Sequence, residues 1–220
     1  MKTRFFASVV AVAAGACGAV HAEGVAITPN FGSPTGNGID VTYRLSPRFN
    51  VRAGAGIPAS VTAKNIKFGD IKYDTTIKTG GINAFLDWHP FANNLHCSGG
   101  LVTIREPWKL KTASVSSFKI NGTVYAAEDV GNLTGEIGFG NTVAPAILVG
   151  WGNSVRPGKK WGVVLDVGLA FVGKSDFRLQ ADGPIAGDPA FLRDFEEEQR
   201  FHSSDSSFMP ILKLGVSYQF

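Results

Sequence analysis

From about residue 25 onward, apolar residues return at every second position in short runs punctuated by Gly, Pro, Asn and Ser. The clearest run sets Trp161, Val163, Leu165, Val167, Leu169 and Phe171 against Gly162, Val164, Asp166, Gly168 and Ala170. A period of two places alternate side chains on opposite faces of an extended chain, so each run reads as a β-strand with two unlike faces. Amphipathic runs of helical period are nearly absent. The richest apolar stretch, Ala144 to Trp151, is about half as long as a spanning helix requires. The chain is therefore committed to sheet, and the open question is what solvent meets the apolar face.

Eight runs carry the alternation. A weaker one lies around Val25 to Phe31, and the next covers Ile39 to Leu45. The third runs from Phe49 to Ile57, and the fourth from Ile82 to His89, with a break in alternation near Thr76 to Gly81. Leu95 to Val102, Ile147 to Trp151, Trp161 to Phe171 and Leu212 to Phe220 complete the set. An even count suits a closed antiparallel bacterial barrel in a membrane. After the short first connection, Ser33 to Asn37, tight and long connections alternate. Residues 45–49, 89–94 and 153–160 are tight, whereas 60–73, 107–143 and 174–207 are long. Membrane barrels sort their loops in this way, with short periplasmic turns and long outer loops.

The aromatic residues also collect at levels. With the N-terminus periplasmic, Tyr43, Trp88, Trp151, Trp161, Tyr218 and Phe220 fall at one end of the strands, together with Phe49 and Phe91. Trp108, Phe171 and Phe208 fall near the other. A sandwich core would spread such rings along the strands, whereas a membrane gathers them at its two interfaces. The expected fold is all-β: a membrane-spanning, eight-stranded, antiparallel up-and-down barrel with long outer loops. The apolar face of the last strand then needs no polar finish, because lipid surrounds it.

The first residues agree with export. Lys2 and Arg4 precede an apolar, Ala-rich stretch from Phe5 to Val20, and Val20-His21-Ala22 offers small residues for cleavage. That order is a secretory signal peptide at residues 1–22, leaving 23–220 as one barrel domain. Removal takes two of the 21 Lys and Arg residues and none of the 18 Asp and Glu, leaving 19 against 18. So small a net charge argues against nucleic-acid binding. Cys97 then stands alone, which excludes an internal disulfide.

With these features, the Tyr218-Gln219-Phe220 ending resembles that of small outer-membrane barrels of Gram-negative bacteria, the OmpA-like and OmpX-like group. Asp87-Trp88-His89-Pro90-Phe91 and Gly150-Trp151-Gly152-Asn153 are similar to phrases in a branch of such barrels. The resemblance covers the whole mature chain. It implies an outer-membrane location, surrounding lipid and lipopolysaccharide, and recognition of the last strand by the outer-membrane assembly machinery. It brings no catalytic motif and no cofactor.

An eight-stranded barrel is just wide enough for side chains to fill. Asp40, Arg44, Arg52, Asp87, Asp166 and Lys213, with His89 and His96, fall on inward positions and read as a paired polar plug. Asp166 and Lys213 are expected to face one another. In the outer loops Lys64, Lys67, Lys72, Lys78, Lys109, Lys111 and Lys119 offer contacts to lipopolysaccharide phosphates. Asn121-Gly122 reads as a hairpin turn and Ala126 to Val130 as a helical turn. Asp188-Pro189 caps a short amphipathic helix with Phe191, Leu192 and Phe195 on one face, a lid on the barrel mouth.

The expected role is that of a monomeric structural or surface-interaction protein, with a possible surface ligand at the outer loops. Two alternatives stand beside it. His202, Ser203 and Asp205 imitate the His, Ser and acidic set of lipid A-modifying acyl hydrolases or transferases. A narrow channel or carrier for small apolar molecules is the other. Cleavage after Ala22 predicts that mass spectrometry of the exported protein reads Glu23 as its first residue; an intact N-terminus would refute the signal-peptide reading.

Overall fold

The computed structural model describes residues 24–68, 71–105, 108–112 and 117–220. Five strands open the chain: β1 (Val25–Gly32), β2 (Gly38–Arg44), β3 (Phe49–Phe68), β4 (Ile71–Trp88) and β5 (Leu95–Thr103). Four short ones follow: β6 (Trp108–Thr112), β7 (Ser117–Ile120), β8 (Thr123–Ala126) and, after the single-turn helix α1 (Ala127–Val130), β9 (Leu133–Phe139). Then come β10 (Val143–Trp151), β11 (Trp161–Ala181), helix α2 (Pro189–His202) and β12 (Ser204–Gln219).

Strands β1 to β5, β10, β11 and β12 form a ring of eight, each antiparallel to its neighbours, and β1 pairs with β12 to close it. Closure satisfies every ladder without leaving an edge, which hydrocarbon demands. The faces are inverted relative to a water-soluble barrel. In β10, Val143, Pro145, Ile147, Val149 and Trp151 are exposed while Ala144, Ala146, Leu148 and Gly150 are buried. Across the ring, Asp40, Arg52, Asp87, Asp166 and Lys213 are buried while Ile147, Leu165, Leu169 and Leu212 lie on the outside. Only lipid makes that arrangement favourable. At nine residues each, β5 and β10 match the length a tilted strand needs to cross. The protein is a membrane-spanning, eight-stranded antiparallel barrel.

The segments expected as long loops are largely strand. Residues 60–73 continue β3 and β4 as one tall hairpin, paired up to Phe68 and Ile71. Upper β4 then pairs with β6, β6 with β9, and β9 with upper β11, so the wall carries on above the ring. Register shifts explain why alternation faded in the sequence. Strand β3 has two, between Gly56 and Ala59 and between Ala63 and Ile66. In β11 the register shifts at Gly173, whose φ of 70° favours glycine. Below Gly173 the even residues point inward; above it Phe177 and Leu179 are buried and Arg178 and Gln180 exposed. Strand β4 carries no extra residue against β3, and its odd residues are buried at both ends, at Tyr73 and Thr75 and again at Asn83, Phe85 and Asp87.

The outer end is closed by a separate apolar cluster. Tyr73, Leu110, Leu133, Phe177 and Leu179 line the sheet, and Phe118 and Ile120 of β7, Val130, and Phe191 and Phe195 of α2 cover it. Asn121-Gly122 forms the β7–β8 turn with positive φ at both residues, 45° and 84°. Helix α2 begins as its sequence requires: Asp188 accepts hydrogen bonds from the amides of Ala190 and Phe191, and Pro189 occupies the first turn. It is longer than expected, at 14 residues, and Leu192 turns outward, 41% exposed, rather than joining the apolar face.

Outward at mid-strand, Leu165→Arg should cost about 2–4 kcal/mol in denaturant unfolding from lipid vesicles. Thr62→Arg, on the polar outer face of upper β3, should cost almost nothing; equal costs would contradict the assigned faces.

Candidate functional site: the barrel interior and its rims

The lumen is filled in two layers. Toward the short-turn end the inward positions are polar, because β2, β3, β4, β5, β11 and β12 each send a charged or hydrogen-bonding side chain there. Arg52 of β3 is the centre. Its guanidinium reaches Asp87 of neighbouring β4 at 3.0 Å and bonds to Asp166 of β11, the strand four places round the ring and so directly opposite. Asp40 lies 3.8 Å from the same group. The side chain is thus a cross-bar from wall to wall.

Each carboxylate has further donors. Ser98 donates to Asp87 at 2.6 Å, and His96 Nε2 lies 2.7 Å from Asp166 Oδ1. Lys213 Nζ donates to both oxygens of Asp40, at 2.8 and 2.6 Å, and Asn83 reaches the same carboxylate at 3.4 Å. Arg52 and Lys213 face three carboxylates, and both nitrogens of His96 face acceptors, Asp166 and the Asn94 carbonyl. Charges this deep hold only when paired and hydrogen-bonded in full. Two glycines make the room: a Cβ on Gly54 would overlap Asp40, and one on Gly150 would overlap both His96 and Asp166.

Two sequence expectations change here. Asp166 and Lys213 are register partners on adjacent strands, but their side chains do not pair. Asp166 turns to Arg52 and His96, and Lys213 reaches past β1 to Asp40. A backbone register fixes neighbours within the wall, whereas long side chains in a narrow lumen choose partners across it. Arg44 is not in the network at all. It sits at the short-turn rim, where its Nε donates to the Ser46 carbonyl. His89 belongs to a lower group with Asn50 at 3.0 Å and the Asn93 carbonyl at 2.9 Å.

Toward the other end the interior is hydrocarbon. Phe85, Val102, Ile104, Leu148, Val172, Met209 and Ile211 pack as one buried cluster, with alanines between them. The lumen is therefore polar in one half only. Arg52 marks the boundary, with its guanidinium 5.3 Å from the Phe85 ring centre. Trp108, expected in the outer girdle, instead packs partly buried against this cluster, edge-on to Phe139 at 5.1 Å. It keeps the inward parity of His96, Ser98 and Val102 on β5, which Ile104 and Leu110 share.

Outside, the rings gather at the short-turn end. Tyr43, Phe49, Trp88, Phe91, Trp151, Trp161 and Phe220 are all exposed there, and Tyr218 bridges Trp161 and Phe220 at 4.9 and 5.3 Å. Phe171 and Phe208 form an exposed pair, 5.4 Å apart, at the other level.

The His202, Ser203 and Asp205 set meets a structural use of its serine. Ser203 closes α2: its hydroxyl donates to the Gln199 carbonyl at 2.9 Å and accepts from the Phe177 amide at 3.1 Å. The side chains of His202 and Asp205 lie outside the described residues, as do those of Lys67 and Lys72. Lys64, Lys78, Lys109 and Lys111 lie on the outer face of the wall above the ring, where Arg178 of β11 joins them; Lys119 is on the β7–β8 hairpin. Arg178 escaped the sequence reading because the bulge at Gly173 hid its strand.

The network predicts how substitutions couple. Removing one member of a buried pair should cost about 3–5 kcal/mol. Asp40→Ala should be relieved in part by Lys213→Met, and Asp166→Ala should not. Relief of Asp166→Ala by Lys213→Met, in a double-mutant cycle of unfolding, would contradict the observed pairing. Gly150→Ala should impair folding on steric grounds alone.

No family model matches the chain, and no curated protein matches it by sequence. Among solved structures it is similar to CarO2 of Acinetobacter baumannii, at 18% identity with a TM-score of 0.69. It is also similar to CarO of the same species, at 19% and 0.66. Each match covers 90% of this chain and 98% of the other. At that identity the likeness is one of fold.

Proposed function

We propose that this is an outer-membrane protein of a Gram-negative bacterium, a monomeric closed barrel that acts through its outer surface rather than through its lumen. One observation carries the reading: the interior is blocked three times over. A charged cross-bar spans the polar half, an apolar cluster fills the other, and β7, β8 and α2 close the mouth. A path for solutes would have to break all three. The similarity in fold to the two CarO structures and the aromatic girdle support the location, and the signal-peptide pattern of the sequence agrees with it.

The outer wall is the working surface in this reading. Lys109 and Lys111 on β6 and Arg178 on β11 stand on its exposed face with Glu136 between them, 3.9 Å from Lys109. In this reading they are the contacts to lipopolysaccharide phosphates. Further out, the hairpin tip at Asn121 is tied to α2 by Glu197 and Glu198, which gives a preformed platform for a surface ligand. The last strand, with its exposed Phe220, suits recognition by the assembly machinery. The engagement of the Ser203 hydroxyl favours a non-enzymatic role, since an acyl-transfer nucleophile needs a general base at its proton.

Three measurements bear on this. Planar bilayers should show no conductance steps from the folded protein. Overexpression should leave the lipid A mass spectrum unchanged, and Ser203→Ala should alter nothing. Surface ligands should be captured by the intact chain and lost when β7–β8 and α2 are replaced by short turns. Regular conductance steps, or an acyl-chain mass difference that requires Ser203, would replace this reading with the channel or the enzyme.

A further inference from the structure

The two ends of the barrel differ in charge. At the loop end both signs mix: α2 alone carries Arg193, Asp194, Glu196, Glu197, Glu198 and Arg200. At the short-turn end, the described turns and strand ends carry Arg44, Arg48, Arg156, Lys159 and Lys160, and no Asp or Glu is placed among them. Asp87, the nearest side-chain carboxylate on a strand end, points inward and is held by Arg52 and Ser98.

Three of these cations converge on one recess. Arg44, Lys159 and Lys160 line a hollow of about 450 Å³ with Gly24, Gln219 and the exposed Phe220 ring. Its walls are fixed by backbone bonds. The Gln219 amide donates to the Lys160 carbonyl, the Arg44 amide to the Gly24 carbonyl, and the Lys159 amide to the Arg156 carbonyl. Phe220 links the recess to the aromatic girdle, since its ring lines the one and packs on Tyr218, which in turn meets Trp161. Rings of this kind lie at the lipid–water boundary. The cations beside them therefore stand at headgroup depth, in the leaflet on the short-turn side.

We infer that this recess binds the phosphate of an anionic phospholipid from that leaflet, with Arg44, Lys159 and Lys160 around the headgroup and the acyl chains along Phe220 and Trp161. A zwitterionic headgroup brings its own cation into the same space and gains much less. The site holds lipid in one place on the ring and sets the depth of the barrel by charge as well as by aromatic anchoring.

The test uses the full folded chain in mild detergent with equal amounts of phosphatidylglycerol and phosphatidylethanolamine, read by native mass spectrometry. Phosphatidylglycerol should be retained in preference. The Lys159→Gln/Lys160→Gln double variant should lower that preference by about twenty-five-fold, since each of the two cations near a membrane surface contributes about a fivefold factor. High salt should weaken retention by the wild type in the same direction, which keeps the test open if the variant folds poorly. Equal retention of the two lipids by the wild type would overturn the inference, as would a preference that survives the double substitution. Displacement by millimolar inorganic phosphate would show a free-anion site instead. Stronger capture on isolated peptidoglycan than on lipid would assign the rim to a polymer.

Discussion

Hydrocarbon offers no partner to a peptide N–H or C=O, and every other feature of this protein follows from that constraint. A sheet in lipid must close on itself, and here β1 closes on β12 to leave no free edge through the membrane. Closure with eight strands leaves a lumen that side chains alone can fill. The chain then faces a second requirement, because half of every strand points into that narrow space. Small residues such as Gly54, Gly150, Ala144 and Ala146 stand where large neighbours need room, so the filling is set by complementary size.

The two layers of the lumen solve different problems. The hydrocarbon half gains from packing alone and tolerates exchange of one apolar side chain for another of similar volume. The charged half is conditional: each carboxylate holds only while its cation is present. Arg52, running to the strand directly opposite, makes that half a brace between walls that share no backbone hydrogen bond. Replacement of such a network by apolar residues is often neutral for stability. Its distinct consequence is to fix one arrangement of the eight strands, since a slip of one residue would turn Arg52 and Asp166 into lipid.

Much of this was legible in the sequence. Period-two alternation identified all eight ring strands and the inward faces of all but the weak first one, because lipid outside and polar groups inside give the strongest contrast a strand can show. The cap of α2 and the turn at Asn121-Gly122 were legible from local chemistry. What the sequence hid has physical causes. The bulge at Gly173 exchanges the two faces of β11, so its upper half looked like loop. Above the membrane the contrast itself is gone, and β6 to β9 have an outer face that is polar for ordinary aqueous reasons. The partners of Asp166 and Lys213 depend on reach across a lumen, which adjacency in the ring does not reveal. Trp108 has the side chain of a girdle residue, but it keeps the inward parity of β5, which residue type alone does not reveal.

The continuity of β4 and β11 from lipid into the outer wall connects these pieces to function. A strand that leaves the membrane unbroken carries its stiffness with it, so the sheet formed with β6 and β9 is as firmly placed as the barrel below. The apolar cluster around Tyr73, Leu110 and Phe191 then fixes α2 and the β7–β8 hairpin on that sheet. Loops in most membrane barrels must order themselves when they bind, at a cost in conformational entropy. Here the outer surface is already ordered by a core of its own, and a ligand that meets it finds a formed platform. A blocked lumen and a preformed outer surface are thus two results of one design, in which the strands are long enough to serve both.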